Sequence, residues 1–175
     1  SLRRLGYVEG RNISLEVRSA EGQLDRLPAL AAELVRLPVD VIVANQTPAA
    51  HAAKEATRSI PIVVSSGDPV RTGLVESLAR PGGNVTGMSG SNADLGGKLL
   101  ALIREAFPRT DRVGVLANAT DPFTAPFLEL LEGAQRGAGV SLQVERVPPD
   151  DAYRDAFAAF ERHRVQAVIV QPSLR

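Results

Sequence analysis

Apolar positions along the chain follow two rhythms. Short apolar runs bounded by turn residues, at 39–44, 62–65, 112–116, 140–147 and 165–170, predict β-strands, and residues 13–18 read as a further strand. Between them, residues 24–37, 49–57, 94–107, 122–138 and 152–163 space their apolar side chains as amphipathic helices do. A short helical piece at 73–79, the turn PGGN at 81–84 and a brief strand at 85–88 complete the pattern. Strands that alternate with helices of this length predict an α/β fold with parallel, Rossmann-like sheets.

Part of the pattern recurs. ISLEV at 13–17 returns as VSLQV at 140–144, and VDVIVANQT at 39–47 returns as VQAVIVQPS at 165–173. The offsets are 127 residues (13 to 140) and 126 (39 to 165), so strand, helix and second strand repeat with a one-residue slip. Apolar strands are generic, and two unrelated βαβ units would also look alike. If the halves are copies, two α/β lobes with a ligand cleft between them are expected. The lobes are assigned to 1–88 and 89–175, and the segment 87–93, rich in Gly, Ser and Asn, is the expected crossing and hinge. Leu2, Leu5 and Val8 read as the tail of a helix that no strand precedes, and the strand ending at Val170 is followed by five residues only. The chain is therefore expected to be a piece of a longer protein, without the leading strand of its first lobe and the last part of its second.

Composition narrows the partners. A hydrophobic content of 44% is that of a globular chain, not a disordered one. Lys plus Arg and Asp plus Glu both number 20, which leaves no basic excess for nucleic acid and no polybasic run for a membrane surface. No apolar run of about 18 residues is present to insert into a membrane. The start, SLRRLGYVEG, lacks the apolar core of a signal peptide. The expected ligand is a small molecule. With no cysteine, the chain has no disulfide, thiolate metal site or cysteine nucleophile, which excludes a two-lobed racemase working through paired cysteines.

In open parallel sheets ligands bind beyond the carboxyl ends of the strands, against helix N-termini. NQTPAA, after the strand at 39–44, is such a place. Thr47 is positioned to cap the following helix, Pro48 to sit in its first turn, and small Ala49 and Ala50 to admit close approach. Two roles fit this loop, plain capping and an anion seat. Two roles also fit Asp68 in SSGDPV at 65–70: starting the turn that Pro69 rigidifies, or pairing with an ammonium group. In the second lobe, Asp121 and Pro122 repeat the cap-plus-proline start, Asn118 is expected to face the cleft, and the repeat sets Ser173 opposite Thr47.

Catalytic and cofactor signatures are missing. His51 and His163 lack metal-pair spacing, and no GxGxxG, GxxxxGK[ST] or GxSxG occurs. His163 reads as a solvated helix end between Arg162 and Arg164, while His51, near the cleft, stays open. No cofactor, metal or catalytic residue is assigned.

The words of the sequence carry a family resemblance. TPAA at 47–50, IPIV at 60–63, DPV at 68–70 and PGGNVTG at 81–87, with the stretch from LGYVEGRNISLEV onward, resemble the substrate-binding proteins of ABC importers, of the type that includes binders of tryptophan and other aromatic amino acids. The resemblance implies the two-lobed periplasmic-binding-protein fold of type I, a periplasmic or lipid-anchored extracytoplasmic location, and a membrane permease as partner. It also implies ligand contacts from Thr47, Pro48, Ala49, Ala50, Gly67 and Asp68 in one lobe and from Asn118, Pro172 and Ser173 in the other, with no catalysis. Family members that hold an amino acid commonly carry an acidic residue where this chain has Leu174, so an amino acid and a ligand without an amine are both kept. Two competing readings are a ligand-sensing domain of a regulator and an enzyme using the same cleft.

Overall fold

The computed structural model describes residues 2–90, 95–148 and 153–174. Two three-stranded sheets, all parallel, form its frame. In the first, β1 (Ile42–Asn45), β2 (Ile62–Ser66) and β3 (Val85–Ser89) lie in that order, with Ile42 opposite Ile62 and Ile62 opposite Val85. In the second, β4 (Arg112–Asn118) is central between β5 (Ser141–Val147) and β6 (Ala167–Val170).

The first sheet is covered on one face. Helix α1 (Leu27–Arg36) follows a 3-10 turn and has a proline in its first turn; it packs along α2 (Thr47–Ala56). Ala50 and Ala53 of α2 close over Ile42, Ala44, Ile62, Val64 and Val85. The opposite face is open, with Val43 at 77% exposure, as alternation on a one-sided sheet requires. In the second sheet β4 is buried on both faces. Helices α3 (Leu95–Ala106) and α4 (Thr124–Ala138) cover one side through Leu100, Phe127, Leu128 and Leu131, and α5 (Tyr153–Arg162) covers the other through Ala156 and Phe160. A Cβ at Gly96 would lie 2.2 Å from the Leu130 carbonyl oxygen, so glycine permits the close α3–α4 crossing. Left-handed Gly139 ends α4, with the Val140 amide donating back to the Gln135 carbonyl.

Two expected elements are not formed. Residues 13–18 are not a strand: they run exposed, joined by a single bridge from Ile13 to Glu9. Their repeat counterpart, β5, owes its ladder to β4 alone. Among the described residues no strand pairs with β1 on the side away from β2, and an extended segment without a ladder partner leaves its backbone to water. Residues 73–79 form turns in place of a helix. Gly73 has φ +75°, and the amides of Leu74 and Val75 both donate to the Pro69 carbonyl, which anchors Leu74 in the core at 1% exposure. Several boundaries also move: β1 begins at Ile42, β4 runs on to Asn118, and α4 begins at Thr124. Of the expected hinge, residues 87–89 belong to β3 and residues 91–93 lie outside the described ones, as do Asp94 and Ala152 at the expected starts of two helices. Among the described residues no helix is long and apolar enough to cross a membrane.

Candidate functional site

The carboxyl ends of β1 and β2 face the loops that follow β4 and β6 across a hollow of about 680 Å³. Its polar wall on the first-sheet side comes from Asn45, Gln46, Thr47, Ser65, Ser66 and Gly67, and on the second-sheet side from Asp121, Gln171, Pro172 and Ser173, with Phe123 between. From there it continues as an apolar trough between α3 and β6, past Leu95, Leu99 and Val168. A smaller hollow of about 350 Å³ lies behind β1, bounded by residues 18–22, α1 and the first turn of α2.

Thr47 is the first helical residue of α2 and not its cap. Gln46 occupies the cap position at φ +68°, and no side chain caps the helix. Thr47, 2% exposed, instead uses its Oγ1 to accept the Gly67 amide at 3.3 Å, which ties the two first-sheet loops together. The amides of Thr47 and Ala49 have no partner within the helix and lie at its electropositive end. Beside them, Ser66 is 4% exposed, lines the hollow, and its Oγ has no hydrogen-bond partner. An unmatched buried hydroxyl is uncommon and unfavourable unless something completes it.

On the second-sheet side the wall is a closed network built on Gln171, which is fully buried. Its Oε1 accepts from the Asn118 amide and from Thr124 Oγ1, both at 2.9 Å, and its Nε2 donates to Asp121 Oδ2 at 2.9 Å. Asp121 also accepts the Phe123 amide through Oδ1 at 2.8 Å, so it caps the turn before α4 and not the helix itself. Asn118 Nδ2 reaches the carbonyl and the hydroxyl of Ser173, each at 3.3 Å, and so supports the 3-10 turn Pro172–Leu174.

Of the residues expected from sequence, Thr47, Gly67, Pro172 and Ser173 share the main hollow. Pro48 and Ala49 line the smaller one, which Ser173 also reaches. Ala50 is buried in the first core, and Asn118 is buried behind Ser173. Asp68 is off the wall: at φ +31° its Oδ1 accepts the Arg71 amide at 3.1 Å, the turn role of an aspartate before proline. Sequence reasoning missed Asn45, Gln46, Ser66, Phe123 and Gln171. The repeat held a signal for Gln171, which it aligns with Asn45 as the carboxamide ending each strand. Among the described residues no cluster of His, Asp or Glu is arranged to hold a metal.

Contacts among the described residues join the two sides. Gln46 Nε2 donates to the Pro172 carbonyl at 3.3 Å, Arg71 of the first side forms an ion pair with Glu129 of α4, and the Phe123 ring lies against the backbone of Gly67.

Two parallel α/β layers meeting at a polar hollow beyond their strand ends define a periplasmic-binding-protein fold of type I. The chain belongs to the family of ABC transporter substrate binding proteins, whose model it matches over residues 1–171. It is 37% identical over 118 residues to a tyrosine-binding protein of Clostridioides difficile, covering 66% of this chain and 33% of that protein. Among solved structures, a conserved domain protein of Vibrio cholerae is 30% identical with a TM-score of 0.86, over 95% of this chain and 56% of that one. An ABC domain from Streptococcus pneumonia in complex with L-Trp is 25% identical with a TM-score of 0.84, over 97% of this chain and 56% of that one. The chain thus spans a third of the length of the curated relative and about half that of these solved structures.

Proposed function

We propose that this chain captures a small solute, an amino acid or related carboxylate, between two lobes, 1–88 and 89–175, without transforming it. The lobes close on the solute, and the closed protein delivers it to the permease of an ABC importer outside the cytoplasm. The single observation that carries this reading is the Ser66 hydroxyl, buried at 4% exposure without a partner on a wall it shares with the uncapped start of α2. A carboxylate there accepts from both the hydroxyl and the free amides, and the field of the helix favours its charge. The tyrosine and tryptophan of the relatives' names agree with this solute class. The Asp121 carboxylate is already matched by Gln171 and the Phe123 amide, and no pair of groups poised for proton transfer is assigned there.

A thermal-shift screen against amino acids and aromatic carboxylates tests the reading. A true solute at about 100 times its Kd adds about 2.7 kcal/mol of stability. Ser66→Ala is then expected to weaken its binding about fivefold to thirtyfold, the value of one hydrogen bond of about 1–2 kcal/mol. Unchanged affinity in Ser66→Ala would remove Ser66 from the site.

A further inference from the structure

Phe123 belongs to the core of the second lobe, yet its ring also meets Gly67 of the first. Phe123 precedes α4 in the second lobe, at 9% exposure, and is fixed by its amide on Asp121 and by Phe127, whose ring centroid is 6.0 Å away. Its ring is pressed against the other lobe so closely that a Cβ at Gly67 would stand 2.5 Å from the Cγ and Cδ1 ring atoms. Ordinary carbon contacts begin near 3.4 Å. Gly67 is not among the glycines with positive φ, so its backbone conformation is open to any residue. What requires glycine there is the ring from the opposite lobe.

We propose that Phe123 is the stop that sets how far the two lobes close, with the bare backbone of Gly67 as its seat, and that this pair thereby determines the size of solute the hollow accepts. The proposal rests on the solute-binding reading given above. Both residues line the main hollow beside Ser66, so the depth left for a solute in the closed form is fixed where the ring meets the glycine. Any side chain at 67 holds the lobes apart, and a smaller side chain at 123 lets them approach further or leaves room for a larger solute. The Arg71–Glu129 pair joins the same two lobes and reports their approach.

The chain has no cysteine, so Arg71→Cys with Glu129→Cys gives two thiols on opposite lobes that a short bis-maleimide can join, and the rate of cross-linking reads closure without any solute. In that background Gly67→Ala is expected to slow cross-linking about tenfold, in line with the penalty of overpacking. Adding Phe123→Leu to Gly67→Ala is expected to restore the rate to within about threefold of the parent, since leucine vacates the space the new methyl needs. An unchanged rate in Gly67→Ala, or a double variant as slow as the single one, would overturn the stop. Titration without the cysteines, using benzoate, L-tyrosine and L-tryptophan, tests the size role. Phe123→Leu is expected to shift preference about fivefold toward the bulkier of any two that bind, and an unchanged ratio of affinities would overturn that role. Binding of none of the three by the natural chain counts against the solute reading, while the cross-linking rates still decide whether the ring is the stop.

Discussion

Gln171 shows how one side chain positions a wall. It has no exposed surface, it satisfies the Asn118 amide and the Thr124 hydroxyl, and it matches the buried carboxylate of Asp121. Gln171→Leu keeps the volume and removes all three partners, which leaves a buried carboxylate short of a donor. The expected loss is roughly 2–4 kcal/mol of stability, read by urea unfolding. A loss under about 1 kcal/mol would mean that the network does not carry the second-lobe rim. At this scale the sequence was informative where a residue's role is local and poor where it depends on what lies across the cleft. Thr47, Pro172 and Ser173, which strand ends and the repeat point to, line the hollow. Asp68 was read in two ways, and its turn supports the local one. Ser66 stands in the SSGDPV loop that the sequence marks, but a serine at a strand end carries no signal of being buried without a partner, and the contact of Phe123 comes from a residue 56 positions earlier, Gly67.

At the scale of elements, the helices and the buried strands were legible because each covers its own neighbour in sequence. The repeat was a weaker guide. ISLEV and VSLQV have nearly the same pattern, yet only the second is a strand, since β4 offers it a ladder and none of the described residues offers one to the first. Pattern states which face a segment would bury, and pairing depends on a partner elsewhere. The residues 73–79 failed as a helix for a different reason: Gly73 turns the chain so that Leu74, and not a helical face, enters the core. Two glycines test how the helices pack. Gly96→Ala sets a methyl 2.2 Å from a backbone oxygen of α4 and is expected to destabilise by roughly 1–3 kcal/mol. Gly133→Ala, in the interior of α4 with open space around it, is expected to stabilise by about 0.5–1 kcal/mol. Thermal unfolding of both variants reads the contrast, and equal effects would contradict the close α3–α4 crossing.

For the whole molecule, the proposed capture depends on the relation between two layers whose contacts among the described residues include a hydrogen bond from Gln46, an ion pair from Arg71, and the ring of Phe123 on Gly67. The ion pair is half exposed on both sides and contributes little by itself. On the proposed reading, the closed arrangement is expected to depend on what the hollow contains, and a solute favours it only through its higher affinity for that form. Small-angle X-ray scattering of the protein, alone and with a saturating amount of a solute that a titration has shown to bind, measures this dependence most directly. The account predicts a smaller radius of gyration with solute and no such change in Gly67→Ala. Identical scattering profiles with and without bound solute would contradict closure around the hollow.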